Sequence, residues 1–306
     1  MLTGLRRLNV RVWWALGLSL LAPVLAHAAW PDKPIRIVVA FPPGATTDII
    51  ARAFSAPLSE ALGQPIIIEN RPGAGGNIGT AYFAKANPDG HTLGVMTVSA
   101  MSIAPHIHRN LGFNPTRDFT PITVVSDVPN VIAANPSLPA KTVKELIMLA
   151  KSQSGKVNFG SGGQGTTPHL CMELFKSMTG ADLGHVPYKG SVIALTDMMG
   201  GQMHSTCAAA PTASSFIQSG KVRVLGVTTR TPTNLAPGVR PIIETVPGYE
   251  LTGWYGLLAP LNTPAAIVER INQEMAKALR TPDLQERLIG VGAEAAHSSP
   301  AEFGAF

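Results

Sequence analysis

Two glycine-containing turns hold the residues best suited to chemistry. In Phe41-Pro42-Pro43-Gly44-Ala45-Thr46-Thr47-Asp48 a β-branched run ends in a stiff proline pair. Gly44 then permits unusual dihedrals, and Thr46 or Thr47 stands where a cap is needed for a helix beginning near Asp48. The second turn, FGSGGQGTTPH from Phe159 to His169, repeats this grammar with Thr166 or Thr167 as cap and Pro168 at the first helical position. A helix start presents unpaired N–H groups and the positive end of a dipole, so each turn is an anion site that needs no arginine. Hydroxyls from Thr46, Thr47, Ser161, Thr166 and Thr167 stand alongside. If the turns face each other across a cleft, a ligand with two carboxylates is held from both ends. The alternative is two ordinary strand-to-helix turns with glycines for geometry alone.

Other chemistry is thin. Asn70 to Gly79 contains G-x-G-x-x-x-G, which departs from the dinucleotide fingerprint and reads better as a third wall of the same cleft. Phe159 stands where a G-x-S-x-G nucleophile elbow around Ser161 needs glycine. His106 and His108 lie two apart, and His169, His185 and His204 stand singly, without metal-ligand spacing. Lys189 has no neighbour in sequence that points to a lowered pKa. The expectation is no catalytic residue, no metal and no cofactor.

Composition narrows the class. With 306 residues, 45% hydrophobic and 14% charged, the chain is too apolar to be disordered. Two cysteines exclude a disulfide-stapled mini-fold and a multi-cysteine zinc site. The net charge of +5 hints at nucleic acid, but Arg6, Arg7 and Arg11 belong to an N-terminal leader. Val12 to Leu25 is an apolar run broken by Pro23, shorter than the ~20 residues of a spanning helix. Ala26-His27-Ala28 then offers cleavage after Ala28. An uncleaved anchor is the alternative. Without the leader the chain has 21 basic and 19 acidic residues and no cluster to track phosphates, so nucleic acid is not an expected partner. A soluble protein exported to the periplasm is expected, where free nucleotide cofactors are lacking. That compartment permits a Cys171–Cys207 disulfide, without saying whether the two side chains meet.

The elements that must position these turns alternate. Strands are expected at 35–40, 66–68, 93–97, 122–125, 131–133, 157–159, 183–186, 205–208 and 222–228. Helices are expected at 48–62, 77–86, 143–151, 168–179, 191–199, 212–219, 264–280 and 282–288. This α/β alternation predicts parallel sheets with helices on both faces, and ligands beyond the carboxyl ends of the strands.

In order along residues 30–303 stand WPDKPIRIVVAFPPGATTD, ENRPGAGGNIGT, NPDGHTL, FGSGGQGTTPHL, HVPYKG, DMMGGQ, GKVRVLGVTT, Trp254-Tyr255-Gly256 and SSPAEF. This colinear series resembles the substrate-binding proteins of the tripartite tricarboxylate transporter (Bug) family. The resemblance implies a type II periplasmic-binding-protein fold: two α/β lobes, 29–127 plus 252–306 and 128–251, joined by two crossing strands near 125–131 and 251–255 with a ligand cleft between. It implies a monomer that closes on a small carboxylate (a di- or tricarboxylate, amino acid or aromatic acid) and delivers it to membrane permease subunits. Carried over by position, the ligand site comprises Pro43, Gly44, Ala45, Thr46, Thr47 and Asp48 from the first turn. Ser161, Gly162, Thr166 and His169 come from the second, and Gly75 and Gly76 complete the pocket. Asp48 either meets a ligand ammonium or caps its helix.

Three departures stand out. Ala45 replaces the family's second glycine, which narrows the ligand's approach or restricts the backbone. Ala208 to Ala210 replace polar residues, which predicts a roomier, more apolar pocket for an aromatic or branched acid. The chain also stops before a further helix of the relatives, which would expose part of the first lobe. Two other functions remain open: a periplasmic sensor that touches a sensor kinase, and a secreted hydrolase with a nucleophile–base pair in the cleft.

Overall fold

Short β-branched runs build the first layer. In the computed structural model, which describes residues 30–233 and 236–306, the run IRIVV forms β1 (Ile35–Val39). There follow α1 (Thr46–Leu62), β2 (Ile66–Asn70), α2 (Asn77–Phe83) and β3 (Thr92–Thr97). The expected leader and its cleavage point lie outside the described residues. β1 runs parallel to β2 on one side and to β3 on the other. α1 presents Ile50, Phe54, Leu58 and Leu62 at helical spacing to the core that β1 faces, and stops at Gly63 in the left-handed region with φ 71°.

A π-helical turn (Ser99–Ile103) and the short α3 (Ala104–Ile107) lead into β4 (Phe119–Ala134), a strand of 16 residues. The two extended pieces expected at 122–125 and 131–133 are therefore one strand. Pro129, which reads as a breaker, sits where β4 changes partner: Phe119–Pro129 pairs with β9 (Thr252–Pro260), and Asn130–Ala134 pairs with β7 (Ser205–Ala209). A residue without an N–H is tolerated at such a handover.

Between these crossings lie α4 (Val143–Ser152), β5 (Asn158–Ser161), α5 (Thr167–Thr179), β6 (Gly184–Pro187), α6 (Ser191–Met199), α7 (Ala210–Gln218) and β8 (Arg223–Val227). After β9 come α8 (Ala265–Leu279), α9 (Pro282–Gly290), the two-residue β10 (Glu294–Ala295) and α10 (Pro300–Ala305). The sheet order is β2-β1-β3-β9-β4-β7-β5-β6, with β8 and β10 also on β4. β5 is parallel to β6 and β7, but β4 and β9 run antiparallel to their neighbours. The sheets are thus mixed and not wholly parallel, because a chain that crosses to a second half and returns must lay its crossing segments against the direction of the βαβ units.

Separate apolar clusters cover the two faces of each half: Ile37, Phe54 and Ile271 against Val38, Phe83 and Met96 in the first, Phe159, Phe175 and Tyr249 against Val131, Leu195 and Met198 in the second. Cys171 on α5 and Cys207 on β7 are joined by a disulfide with Cα atoms 6.4 Å apart. The architecture is two α/β halves joined by two crossings.

Candidate functional site

Residues that follow the ends of β1, β3, β5, β6 and β7 meet around one cavity of about 40 Å³ between the halves. Its walls are Phe41, Ala45, Thr46 and Thr47 from the first turn, and Thr97 to Ser99 at the end of β3. Gly162, Thr166, Thr167, Pro168, Ser191, Ala209, Thr212 and Tyr255 complete them. Ligand clefts of open α/β sheets form in this place, beyond strand carboxyl ends. The lining is rich in hydroxyls, and it carries no Asp, Glu, Lys, Arg or His.

Of the expected site residues, Ala45, Thr46, Thr47, Gly162 and Thr166 line the cavity. The others stand around it. Pro43 and Gly44 are exposed at its rim. Gly44 has φ 79°, and its N–H donates to Asp48 Oδ2 at 3.0 Å. Asp48 is buried and turned away from the cavity; Arg52 Nε reaches the same oxygen at 2.9 Å and Asn70 Nδ2 reaches Oδ1 at 3.0 Å. Burial raises the Asp48 pKa, but the hydrogen bonds from Arg52, Gly44 and Asn70 outweigh it and hold the carboxyl below its ordinary value. Neither threonine caps α1 through its side chain: Ala45 is the N-cap residue, at φ −72° and ψ 157°. Any L-residue adopts that conformation, so the departure from glycine at Ala45 costs no backbone strain.

The second turn is tied down from below. Ser161 is fully buried; its Oγ accepts the Gly163 N–H at 3.2 Å and lies 2.7 Å from His185 Nε2. His169 does not reach the cavity; its Nδ1 accepts the Gly165 N–H at 3.1 Å, and its ring stacks on His185 with centroids 4.2 Å apart. Burial, with His169 beside it, pushes the His185 pKa down to about 4, and burial also lowers His169. The Ser161–His185 pair therefore lies behind the turn, not in the cleft. Thr166 Oγ1 likewise turns inward, donating to Gly163 O at 2.7 Å. Gly75 and Gly76 wall the site without lining it. A Cβ on Gly75 would come within 2.9 Å of Gln164 O, and one on Gly76 within 3.0 Å of the Phe41 ring.

Thr212, Ser99, Thr97, Ser191 and Tyr255 were not among the expected residues. Thr212 had a signal, since Ala209-Ala210-Pro211-Thr212 repeats the sequence of strand end, turn and first-turn proline. Of the alanines at 208–210, only Ala209 lines the cavity. Ala208 packs into the core beside Val131 and Leu195, so a roomy apolar pocket is not what these substitutions create in this conformation. Thr97 Oγ1 is buried without a hydrogen-bond partner, and Tyr255 contacts the Thr46 side chain, its hydroxyl pKa raised by burial.

Residues 50–305 match the family described as tripartite tricarboxylate transporter family receptor. The chain is similar to protein BugT of Bordetella pertussis, with 34% identity over 281 residues that cover 91% of this chain and 86% of that one. Among solved structures it is similar to Rpa4515 of R. palustris with adipate, at 37% identity and TM-score 0.88 over 90% of this chain and 93% of that one. It is also similar to MatC of Rhodopseudomonas palustris with bound malate, at 30% identity and TM-score 0.85 over 90% and 95%. Fold, cleft and sequence agree along nearly the whole described chain, and the protein belongs to the tripartite tricarboxylate transporter family of receptors.

Proposed function

We propose that this chain is a periplasmic solute receptor that closes its two lobes, 29–127 plus 252–306 and 128–251, on a small dicarboxylate and presents it as a monomer to membrane permease subunits of the tripartite tricarboxylate type. The observation that carries this reading is the meeting of two helix starts, those of α1 and α5, at one uncharged, hydroxyl-lined cavity. Two positive dipole ends aimed at one space favour an anion at each end of a short molecule. Thr97 Oγ1, buried and unpartnered, adds a polar group that a ligand would satisfy. Relatives with adipate and with malate are consistent with that class. An amino-acid ligand is disfavoured, because both Asp48 oxygens are engaged inward and the lining offers no other carboxylate for an ammonium group. The buried Ser161 and its low-pKa histidine partner favour scaffolding over turnover.

A thermal-shift series with mono-, di- and tricarboxylates, amino acids and aromatic acids tests this. A bound acid at 100 times its dissociation constant adds about 2.7 kcal/mol of apparent stability. Stabilisation by dicarboxylates, confirmed by calorimetry, is the expected result. A protein that no carboxylate stabilises would overturn the reading.

A further inference from the structure

Across the cleft, each half lends a hydroxyl to the helix start of the other. Thr212, on α7 of the second half, accepts the Thr46 N–H at the start of α1 at 2.9 Å, and its Oγ1 lies 2.7 Å from Thr46 Oγ1. In return Ser99, following β3 of the first half, accepts the Thr167 N–H at the start of α5 at 3.1 Å, with Thr167 Oγ1 3.2 Å away. All four residues are buried, and all four line the cavity. Four other amides of the two turns are held within their own half: Gly44 by Asp48, Ala45 by Pro42 O, Gly163 by Ser161 and Gly165 by His169. The bonds to Thr46 and Thr167 are the ones that cross between the halves.

We infer that Thr212 and Ser99 are a built-in surrogate for the ligand, a two-bolt latch that closes the unloaded protein on itself and that a ligand must displace. The inference rests on the carboxylate reading for the displacement step only; the latch itself stands on the hydrogen bonds. The chemistry sets the order of preference. A neutral hydroxyl at a helix start makes an ordinary hydrogen bond, whereas a carboxylate makes a charge-assisted one of about twice the strength, so the latch yields to an anion but holds against water. A cavity of about 40 Å³ has room for a few waters and not for a six-carbon diacid. Loading therefore requires opening, and the latch sets how much of the unloaded population is open. Binding to an open fraction weakens apparent affinity by that fraction, so removal of a bolt tightens it.

The test uses Thr212→Val and Ser99→Ala, one on each half and each close to isosteric, together with the double variant. Small-angle scattering of the ligand-free proteins is compared first, after circular dichroism confirms that each is folded. The radius of gyration is expected to rise in each variant and most in the double one. Calorimetry with adipate and with malate as probes should then show affinity tightened, by up to about fivefold per bolt. Ligand-free variants as compact as the wild type would overturn the latch, and so would a wild type already as expanded as the double variant. Affinity that stays unchanged or falls in either single variant would overturn the surrogate role, because the removed hydroxyl then does not compete with the ligand. If neither acid binds, the scattering comparison decides alone, and the failure then belongs to the carboxylate reading.

Discussion

Both oxygens of Asp48 point away from the cavity, and that orientation makes the residue a support for the first turn. Its carboxylate gathers Gly44, Arg52 and Asn70, so Asp48→Ala removes a buried acceptor shared by three donors that reach solvent and should cost about 1–2 kcal/mol in urea unfolding at pH 7. A loss below ~0.5 kcal/mol would remove the supporting role. The histidine pair beneath the second turn makes a pH-dependent contribution. His185 titrates near 4 in the fold against 6.5 when free, so its neutral form contributes stability above pH 6.5 that is lost as pH falls from 6.5 toward 4. At pH 5.5 the unfolded chain takes up a proton that folded His185 refuses, and stability should drop by about 1 kcal/mol relative to pH 7.5. Asp48 does not confound this window, because its depressed pKa removes stability only below the ordinary carboxylate value. His185→Gln should flatten the slope; an identical slope in wild type and variant would show that the loss arises elsewhere. The turns were legible in the sequence because Gly44, Gly162 and Thr166 are local punctuation. The pairing of Ser99 and Thr212 with these turns was not, because their hydroxyls arrive from elements 68 and 166 residues away.

The disulfide ties α5, which starts at the second turn, to β7, which ends beside Thr212. It closes a loop between residues 36 apart, and chain-entropy arguments give such a link about 3–4 kcal/mol. Reduction, or Cys207→Ser, should therefore lower the thermal midpoint by several degrees, read by calorimetry with and without reductant; an unchanged midpoint would mean that the buried packing of Phe175 and Tyr249 holds α5 alone. At this scale most of the fold was legible. The helix at 191–199 and the strands beginning at 35, 66 and 205 follow from apolar period and from glycine or proline boundaries. Two features were not. The continuity of β4 through Pro129 depends on a change of sheet partner, which has no local signature. The antiparallel setting of β9 depends on where the chain returns, and apolar period carries no strand direction. The meeting of Cys171 with Cys207 was likewise open until α5 was laid against β7.

Closure of the whole molecule is limited by glycines that face the other half. Gly75 backs onto the second turn so closely that a Cβ would come within 2.9 Å of Gln164 O, a backbone atom that cannot swing aside. A Cβ on Gly190 would come within 2.7 Å of the Pro42 ring. Alanine at Gly75 introduces two separable effects: a left-handed strain, since φ is 65°, and a wedge between the halves. Gly155 supplies the control. It has φ 71°, so Gly155→Ala bears the same strain of about 1–2 kcal/mol, but a Cβ there meets nothing within 4 Å. Gly75→Ala should therefore lose more stability than Gly155→Ala in the ligand-free state, because its wedge also spreads the latched halves, and the two should differ in binding. Gly75→Ala is expected to weaken whichever of adipate and malate stabilises the wild type by tenfold or more, and to keep the liganded radius of gyration above that of the wild type. Gly155→Ala should change neither. Affinity would suffer through the geometry of closing, because Gly75 does not line the cavity and has no side chain to offer a ligand. Equal affinities in the two variants would mean that the halves bind without shutting to this depth, and the close approach of Gly75 to the second turn would then have no part in holding the solute.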